Sequence, residues 1–233
     1  MTSSLTVVTF KWHTPGYRAK FEARHVNVLR SMVVRHYRRP HRFVCFTDDA
    51  TGLAPGIEAL PVWDDHASVP NPTGGGRPSC YRRLKLWAPE MREVLGGRYV
   101  CLDLDTVILG DLRPLWDRTE DVVMWRSPGM PWPYNGAMWM ANTGARPQVW
   151  AEFDPLESPK RTTEAGYRGS DQAWMSLVLG AGESVWTQAD GVYYYGSLPR
   201  PRHQLPRDAR IVFTTAGDPP WKMAHLWARR HWR

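Results

Sequence analysis

The stretch Arg98 to Leu109, Arg-Tyr-Val-Cys-Leu-Asp-Leu-Asp-Thr-Val-Ile-Leu, is a β-rich apolar run broken by two carboxylates, Asp103 and Asp105. In an extended strand residues two apart point to one face, so both acids can converge on one cation. The residues before them, Tyr99 to Leu102, predict a central buried strand, where unpaired carboxylates would be costly. Doubly wound sheets place ligands beyond the carboxyl ends of such strands. Two carboxylates completed by substrate phosphate oxygens suit magnesium or manganese.

The neighbouring sequence supplies the sheet that such a strand needs. Leu5 to Trp12, Arg42 to Thr47 and Ile57 to Trp63 predict three further strands. Asp121 to Trp125, Gly136 to Ala141 and Arg210 to Thr215 predict three more. Between the first two, Arg18 to Tyr37 lacks Pro and Gly and repeats Phe21, Val26, Leu29, Val33 and Tyr37 at helical spacing. Ser79 to Leu95 reads as a helix despite Pro89, and Ser170 to Leu179 as a helix with Ser170 at its N-cap. Asn71 to Pro78 is a Gly-rich loop. Strands alternating with helices imply an α/β chain with a mixed, mostly parallel central sheet and helices on both faces. No repeat or long linker divides the 233 residues, so the expectation is a single domain.

A hydrophobic content of 42% with 23% charged residues excludes disorder. The charge-free stretch Ser127 to Ala145 holds three prolines and is a poor membrane span. No basic, apolar leader opens the chain, so a cytoplasmic protein with no transmembrane segment is expected. Cys45, Cys80 and Cys101 lie at no metal-binding or redox spacing, and the first and last sit in apolar runs as small hydrophobes.

Charge is uneven. Residues 1–42 carry nine Lys/Arg against one Glu, and residues 199–233 carry eight against two acids, around an acidic middle. If the ends meet, they form one positive surface suited to a polyanion or an anionic membrane, peripheral to either; a solvated helix and tail is the plainer reading. Thirteen tryptophans are many for this length. Trp87, Trp116 and Trp174 fall in amphipathic patterns and predict core, while Trp12, Trp132 and Trp221 lie near candidate site segments.

Three functional classes accommodate these features. Leu-Asp-Leu-Asp-Thr-Val resembles the first motif of haloacid-dehalogenase phosphatases, with Asp103 as nucleophile, although that family carries it on its first strand. A basic, tryptophan-rich nucleic-acid-binding module is a non-enzymatic alternative, but leaves two carboxylates on a central strand unexplained. The third class rests on resemblance. Arg98 to Trp116 resembles the metal-binding region of GT-A glycosyltransferases, especially family 8 and related bacterial and phage proteins. Further matches follow in family order: Val7 to Trp12 resembles the nucleotide-binding strand and Phe43 to Asp49 the second strand. Tyr81-Arg82-Arg83-Leu84 resembles the Tyr-x-Arg-Leu helix, Asn135-Gly136-Ala137-Met138 the Asn-Ser-Gly-Val-Met segment, and Gly169-Ser170-Asp171-Gln172 the Asp-Gln helix start.

The resemblance implies a GT-A (Rossmann-like) fold with a nucleotide-binding half over about residues 1–110 and a donor-sugar and acceptor half over about 111–233. It implies a nucleotide-sugar donor, UDP-linked, bound by Thr9, Lys11, Tyr17, Asp48, Arg83, Asp103, Leu104, Asp105 and Asn135. Lys11 and Tyr17 are equally readable as surface side chains, and Asp48 with Asp49 as a strand-ending turn. Asp103 and Asp105 would hold Mn2+ or Mg2+, Arg83 would reach donor sugar and phosphate, and Asp171 with Gln172 would be catalytic, with retention of configuration. Asp171 also reads as a helix-start acid. The family's C-terminal His-x-x-Gly-x-x-Lys-Pro-Trp aligns best with Thr215 to Trp221, which puts Thr in place of the metal-binding His and Pro in place of the phosphate-binding Lys. A second register offers His225 as third ligand, and Lys222, Arg229 or Arg230 could supply the missing cation. The acceptor is unspecified: a polyanion such as modified DNA and a membrane-surface glycan both fit.

Overall fold

The computed structural model describes residues 5–15, 20–76, 78–199, 204–215 and 217–233. The described residues form ten strands: β1 (Leu5–Lys11), β2 (His41–Thr47), β3 (Glu58–Pro61), β4 (Arg98–Leu102) and β5 (Thr106–Ile108) come first. β6 (Val122–Trp125), β7 (Asn135–Asn142), β8 (Ser184–Trp186), β9 (Val192–Tyr194) and β10 (Ile211–Phe213) follow. Helices are α1 (Ala23–His36), α2 (Met91–Leu95), α3 (Arg113–Trp116), α4 (Gln148–Ala151), α5 (Glu157–Glu164), α6 (Asp171–Leu179) and α7 (Leu226–His231).

Seven strands make the central sheet in the order β3-β2-β1-β4-β7-β6-β8. Strands β3, β2, β1 and β4 run parallel, β7 lies antiparallel between β4 and β6, and β8 is parallel to β6. The mixed, mostly parallel α/β sheet expected from the sequence is therefore present. Every residue of β1 is buried, as a strand covered on both faces requires. Its threonines are satisfied from within: the Thr6 hydroxyl donates to the Leu95 carbonyl at 2.7 Å and the Thr9 hydroxyl to the Leu102 carbonyl at 2.9 Å.

Period-two alternation divides the core. Val7, Phe43, Cys45, Val100 and Leu102 face one layer, against Val26, Leu29 and Met32 of α1. Val8, Val44, Phe46, Tyr99 and Cys101 face the other, against the 3-10 helix Tyr81–Trp87 and Trp174 of α6. Cys45 and Cys101 are buried as expected, and so are Trp87, Trp116 and Trp174.

Several boundaries differ from expectation for identifiable reasons. Helix α1 starts at Ala23 with Glu22 at its N-cap, five residues later than the periodicity suggested. Ser79 to Leu95 is not one helix. Pro89 forces Ala88 out of the helical region (ψ 137°), so a 3-10 helix ends there and α2 starts afresh. The run Arg98 to Leu109 breaks at its acids more completely than a bulge would. β4 stays in the central sheet, whereas β5 joins a separate three-stranded sheet, β5-β10-β9. Among the described residues no helix is long and apolar enough to cross a membrane.

The basic ends do meet. One Arg35 nitrogen donates to the His231 carbonyl at 2.7 Å and another to the carbonyl of Arg233, tying α7 to α1. Nearby, buried His25 accepts the Glu22 N–H on Nδ1 at 2.7 Å and packs its ring 4.1 Å from that of Trp221. Burial, reinforced by Arg24, holds its pKa below 6.5. A histidine with a depressed native pKa favours the unfolded chain when protonated, so its contribution is present above about pH 6.5 and lost below it. Melting temperature should accordingly fall between pH 7 and pH 5, and fall less steeply in His25→Phe; parallel slopes in calorimetry would refute the assignment.

Candidate functional site

The β4-to-β5 crossing opens a cleft of about 570 Å3 whose lining includes Arg83, Asp103, Asp105, Asn135, Asp171 and Gln172. The fold brings these six candidate residues into one cleft. Both acids are held through their backbones, one from each sheet. The Asp103 N–H donates to the Ala137 carbonyl at 3.0 Å, while the Asp105 carbonyl accepts the Thr214 N–H at 3.0 Å and its hydroxyl at 2.9 Å. Asp103 and Asp105 thus sit in the link between sheets and not within a continuous strand.

Arg83 is the electrostatic centre. Its side chain, 7% exposed, donates from Nε to Asp171 Oδ2 at 2.7 Å, and another nitrogen pairs with Asp103. Nη2 donates to the Gly136 carbonyl at 2.7 Å, and the guanidinium lies 4.9 Å from the centre of the Trp139 ring. A Cβ on Gly136 would come within 2.8 Å of Nη2, so a residue without a side chain lets the guanidinium sit where it does. Burial alone would lower the Arg83 pKa; the carboxylates of Asp171 and Asp103 outweigh it and hold the group well above its usual value. Burial pushes the Asp171 carboxyl above the usual carboxylate range, opposed by Arg83.

Asp171 opens α6, where Ser170 occupies the N-cap position as expected. Its hydroxyl does not cap the helix. It accepts the Cys80 N–H at 2.9 Å, joining the start of α6 to the segment that carries Arg83. Gln172 Nε2 donates to the Arg168 carbonyl at 3.1 Å, and Asn135 Oδ1 accepts the Ala137 N–H at 2.9 Å.

Other expected residues fall elsewhere. Thr9 is wholly buried, its hydroxyl donating to the Leu102 carbonyl at 2.9 Å, so it braces β1 against β4 and does not line this cleft. Leu104, in the bend between the two acids, packs in the core. Lys11 and Asp48 line a second cleft of about 700 Å3 together with Trp12, His13 and Phe21. Asp48 there accepts the His13 N–H at 2.7 Å. Tyr17 lies outside the described residues.

Of the two C-terminal registers, the first agrees with the geometry, because Thr215 lines the cleft with Asp103 and Asp105. His225 does not; its Nε2 lies 2.8 Å from the Tyr195 hydroxyl, and its ring is parallel to that of Trp227. Lys222, Arg229 and Arg230 are exposed and line neither cleft. Trp132 and Trp221 line neither cleft either, and Trp221 packs on His25. Sequence reasoning missed Trp125, Met130, Tyr194 and Phe213, which complete the cleft walls. Only the Pro-rich composition of Ser127 to Pro133 signalled a loop there.

Among the described residues no group of three or more His, Cys, Asp or Glu side chains is placed to hold a metal. Two carboxylates in one polar cleft still match the hard-oxygen donor set of Mg2+ or Mn2+, which complete their shells with water and substrate phosphate.

The sheet, with an antiparallel β7 beside β4 and a small second sheet beyond the acidic link, has the GT-A fold of solved glycosyltransferases. The galactosyltransferase LgtC in complex with donor and acceptor sugar analogs superposes with a TM-score of 0.62 at 15% identity, covering 97% of this chain and 93% of LgtC. An active-site mutant of LgtC gives 0.61 at 14% with the same coverage. GlyE of Streptococcus pneumoniae TIGR4 gives 0.62 at 13%, and there the match covers 97% of this chain but 61% of GlyE. No family model matches the chain, and no curated protein matches it by sequence.

Proposed function

We propose that this chain is a metal-dependent glycosyltransferase that moves a sugar from a nucleotide-diphospho donor, UDP-linked by resemblance, to an acceptor. The observation that carries this reading is the charge of the cleft. Its described lining holds Asp103, Asp105 and Asp171 against one cation, Arg83, already engaged by two of them. A diphosphate entering such a cleft is repelled unless a divalent cation comes with it. Held by Asp103 and Asp105, that cation would stabilise charge on the leaving nucleotide.

The chain's own residues take the remaining tasks. Arg83 fixes Asp103 and Asp171 relative to each other and faces the donor phosphate and sugar. Asp171 and Gln172 face the transferred sugar, with Asn135 beside them and retention of configuration expected. Lys11 and Asp48, in the second cleft, suit the nucleoside. On this reading the chain works as a single domain, with residues of about 1–110 binding nucleotide and those of about 111–233 shaping the donor-sugar and acceptor side. The phosphatase alternative gains no support from a fold that puts Asp103 after the fourth strand.

A thermal-shift panel of UDP-, GDP-, ADP-, CMP- and dTDP-sugars with Mn2+ or chelator tests this. A ligand at 100 times its Kd stabilises by about 2.7 kcal/mol. The expected result is a Mn2+-dependent rise with one nucleotide class, abolished in Asp105→Asn. Folded wild-type protein that responds to none of them would overturn the proposal.

A further inference from the structure

The junction of α1 and α7 gathers positive charge that neither cleft uses. The Arg35 bonds to the carbonyls of His231 and Arg233 bring Arg35, His36, Arg230, His231 and Arg233 into one another's fields. His36 lies in the field of an acid, Asp111, with which Arg113 already pairs at 2.7 Å. The two helix C-termini offset part of the charge. That does not account for the outward-facing arginines: Arg38, Arg229 and Arg230 are exposed and form no ion pair among the described residues. None of these residues lines either cleft.

Two features select the partner. Neither α1 nor α7 contains a lysine; every cation on them is arginine or histidine. The planar guanidinium fork matches phosphate oxygens in pairs, whereas adsorption to a charged lipid surface is served as well by lysine. A helix that lies in a membrane surface also buries a broad apolar face. α7 has six residues, and Leu226 is its one exposed large hydrophobic residue; on α1 it is Val34. We propose that the α1–α7 junction binds the phosphate backbone of a nucleic-acid duplex without reading its sequence. The surface is separate from the cleft, so the proposal goes beyond the transferase reading and stands or falls by binding alone.

The test is fluorescence anisotropy of a labelled DNA duplex of about 20 base pairs and arbitrary sequence, titrated with the full chain from 50 to 200 mM salt. With about four phosphates neutralised, log K against log salt should slope at about −3 to −4. Arg229→Glu with Arg230→Glu changes two exposed side chains, so the fold should be kept. It should weaken binding at least tenfold at 50 mM salt and flatten the slope by about two. If that variant fails to fold, Arg230→Gln alone should flatten the slope by about one. Arg92→Glu, an exposed charge on α2, should leave binding intact. Equal loss in Arg92→Glu, or no duplex binding at 50 mM salt, overturns the proposal. Binding to phosphatidylserine vesicles without duplex binding overturns it in favour of a lipid surface.

Discussion

Replacing Arg83 with alanine will lower the melting temperature by roughly 6 to 20 °C, because breaking a buried ion pair costs about 3–5 kcal/mol and each kcal/mol moves a chain of this size by about 2–4 °C. The physical cause lies in what stays behind. The Asp171 side chain is 5% exposed, and without the guanidinium it has no salt-bridge partner among the described residues. Acid should relieve that loss. The Asp171 carboxyl is already pushed above its usual range by burial, and once protonated it needs no cation. The gap between variant and wild type should therefore narrow from pH 7 to pH 5, opposite in sign to the His25 effect. Replacing the pair together, Arg83→Met with Asp171→Leu, should recover most of the stability, since apolar substitutes for a buried pair are often neutral. Calorimetry on all three proteins decides it. A single variant melting within 2 °C of wild type would mean that the pair carries no structural weight.

Trp125→Ala is the second large effect. Trp125 ends β6, is 1% exposed, and its ring centre lies 4.3 Å from that of Phe213 on β10. The contact joins the central sheet to the small one and forms part of the cleft wall. Truncating a buried tryptophan costs about 3–5 kcal/mol. The loss should also be localised: amide exchange in β5, β9 and β10 should accelerate more than in β1 and β2. Uniform acceleration across both sheets would show that the contact does not link them.

Much of this was legible in the chain. β1, β2 and β4 were visible because strands covered on both faces carry near-continuous apolar and β-branched residues, and the two acids stood out against such a run. The partner of Arg83 was not visible as a partner. Asp171 is 88 residues away, and nothing in a sequence says which carboxylate closes on which arginine. The second sheet was hidden for another reason. Arg210 to Thr215 was legible as the strand that becomes β10, but β9 has three residues, too few for a period of two to declare itself. Leu104 is a different matter: an apolar residue between two acids already reads as core, and the resemblance overrode that signal. Thr9 could not be settled from composition, because a strand hydroxyl serves a ligand and a neighbouring carbonyl equally well.

The placement of Asp103 and Asp105 between two sheets has an evolutionary consequence. Asp103 is fixed by the Ala137 carbonyl and Asp105 by the Thr214 N–H, backbone anchors indifferent to side-chain identity, and the Thr214 hydroxyl adds a second bond to Asp105. The rest of the cleft rim comes from separate loops, around Asn71 to Cys80, Ser127 to Met130, and Gly169. These loops can lengthen, shorten or change composition while the acidic link keeps its position. A lineage built on this plan can therefore vary what the cleft admits by drift at the rim, at little risk to the position of the two acids.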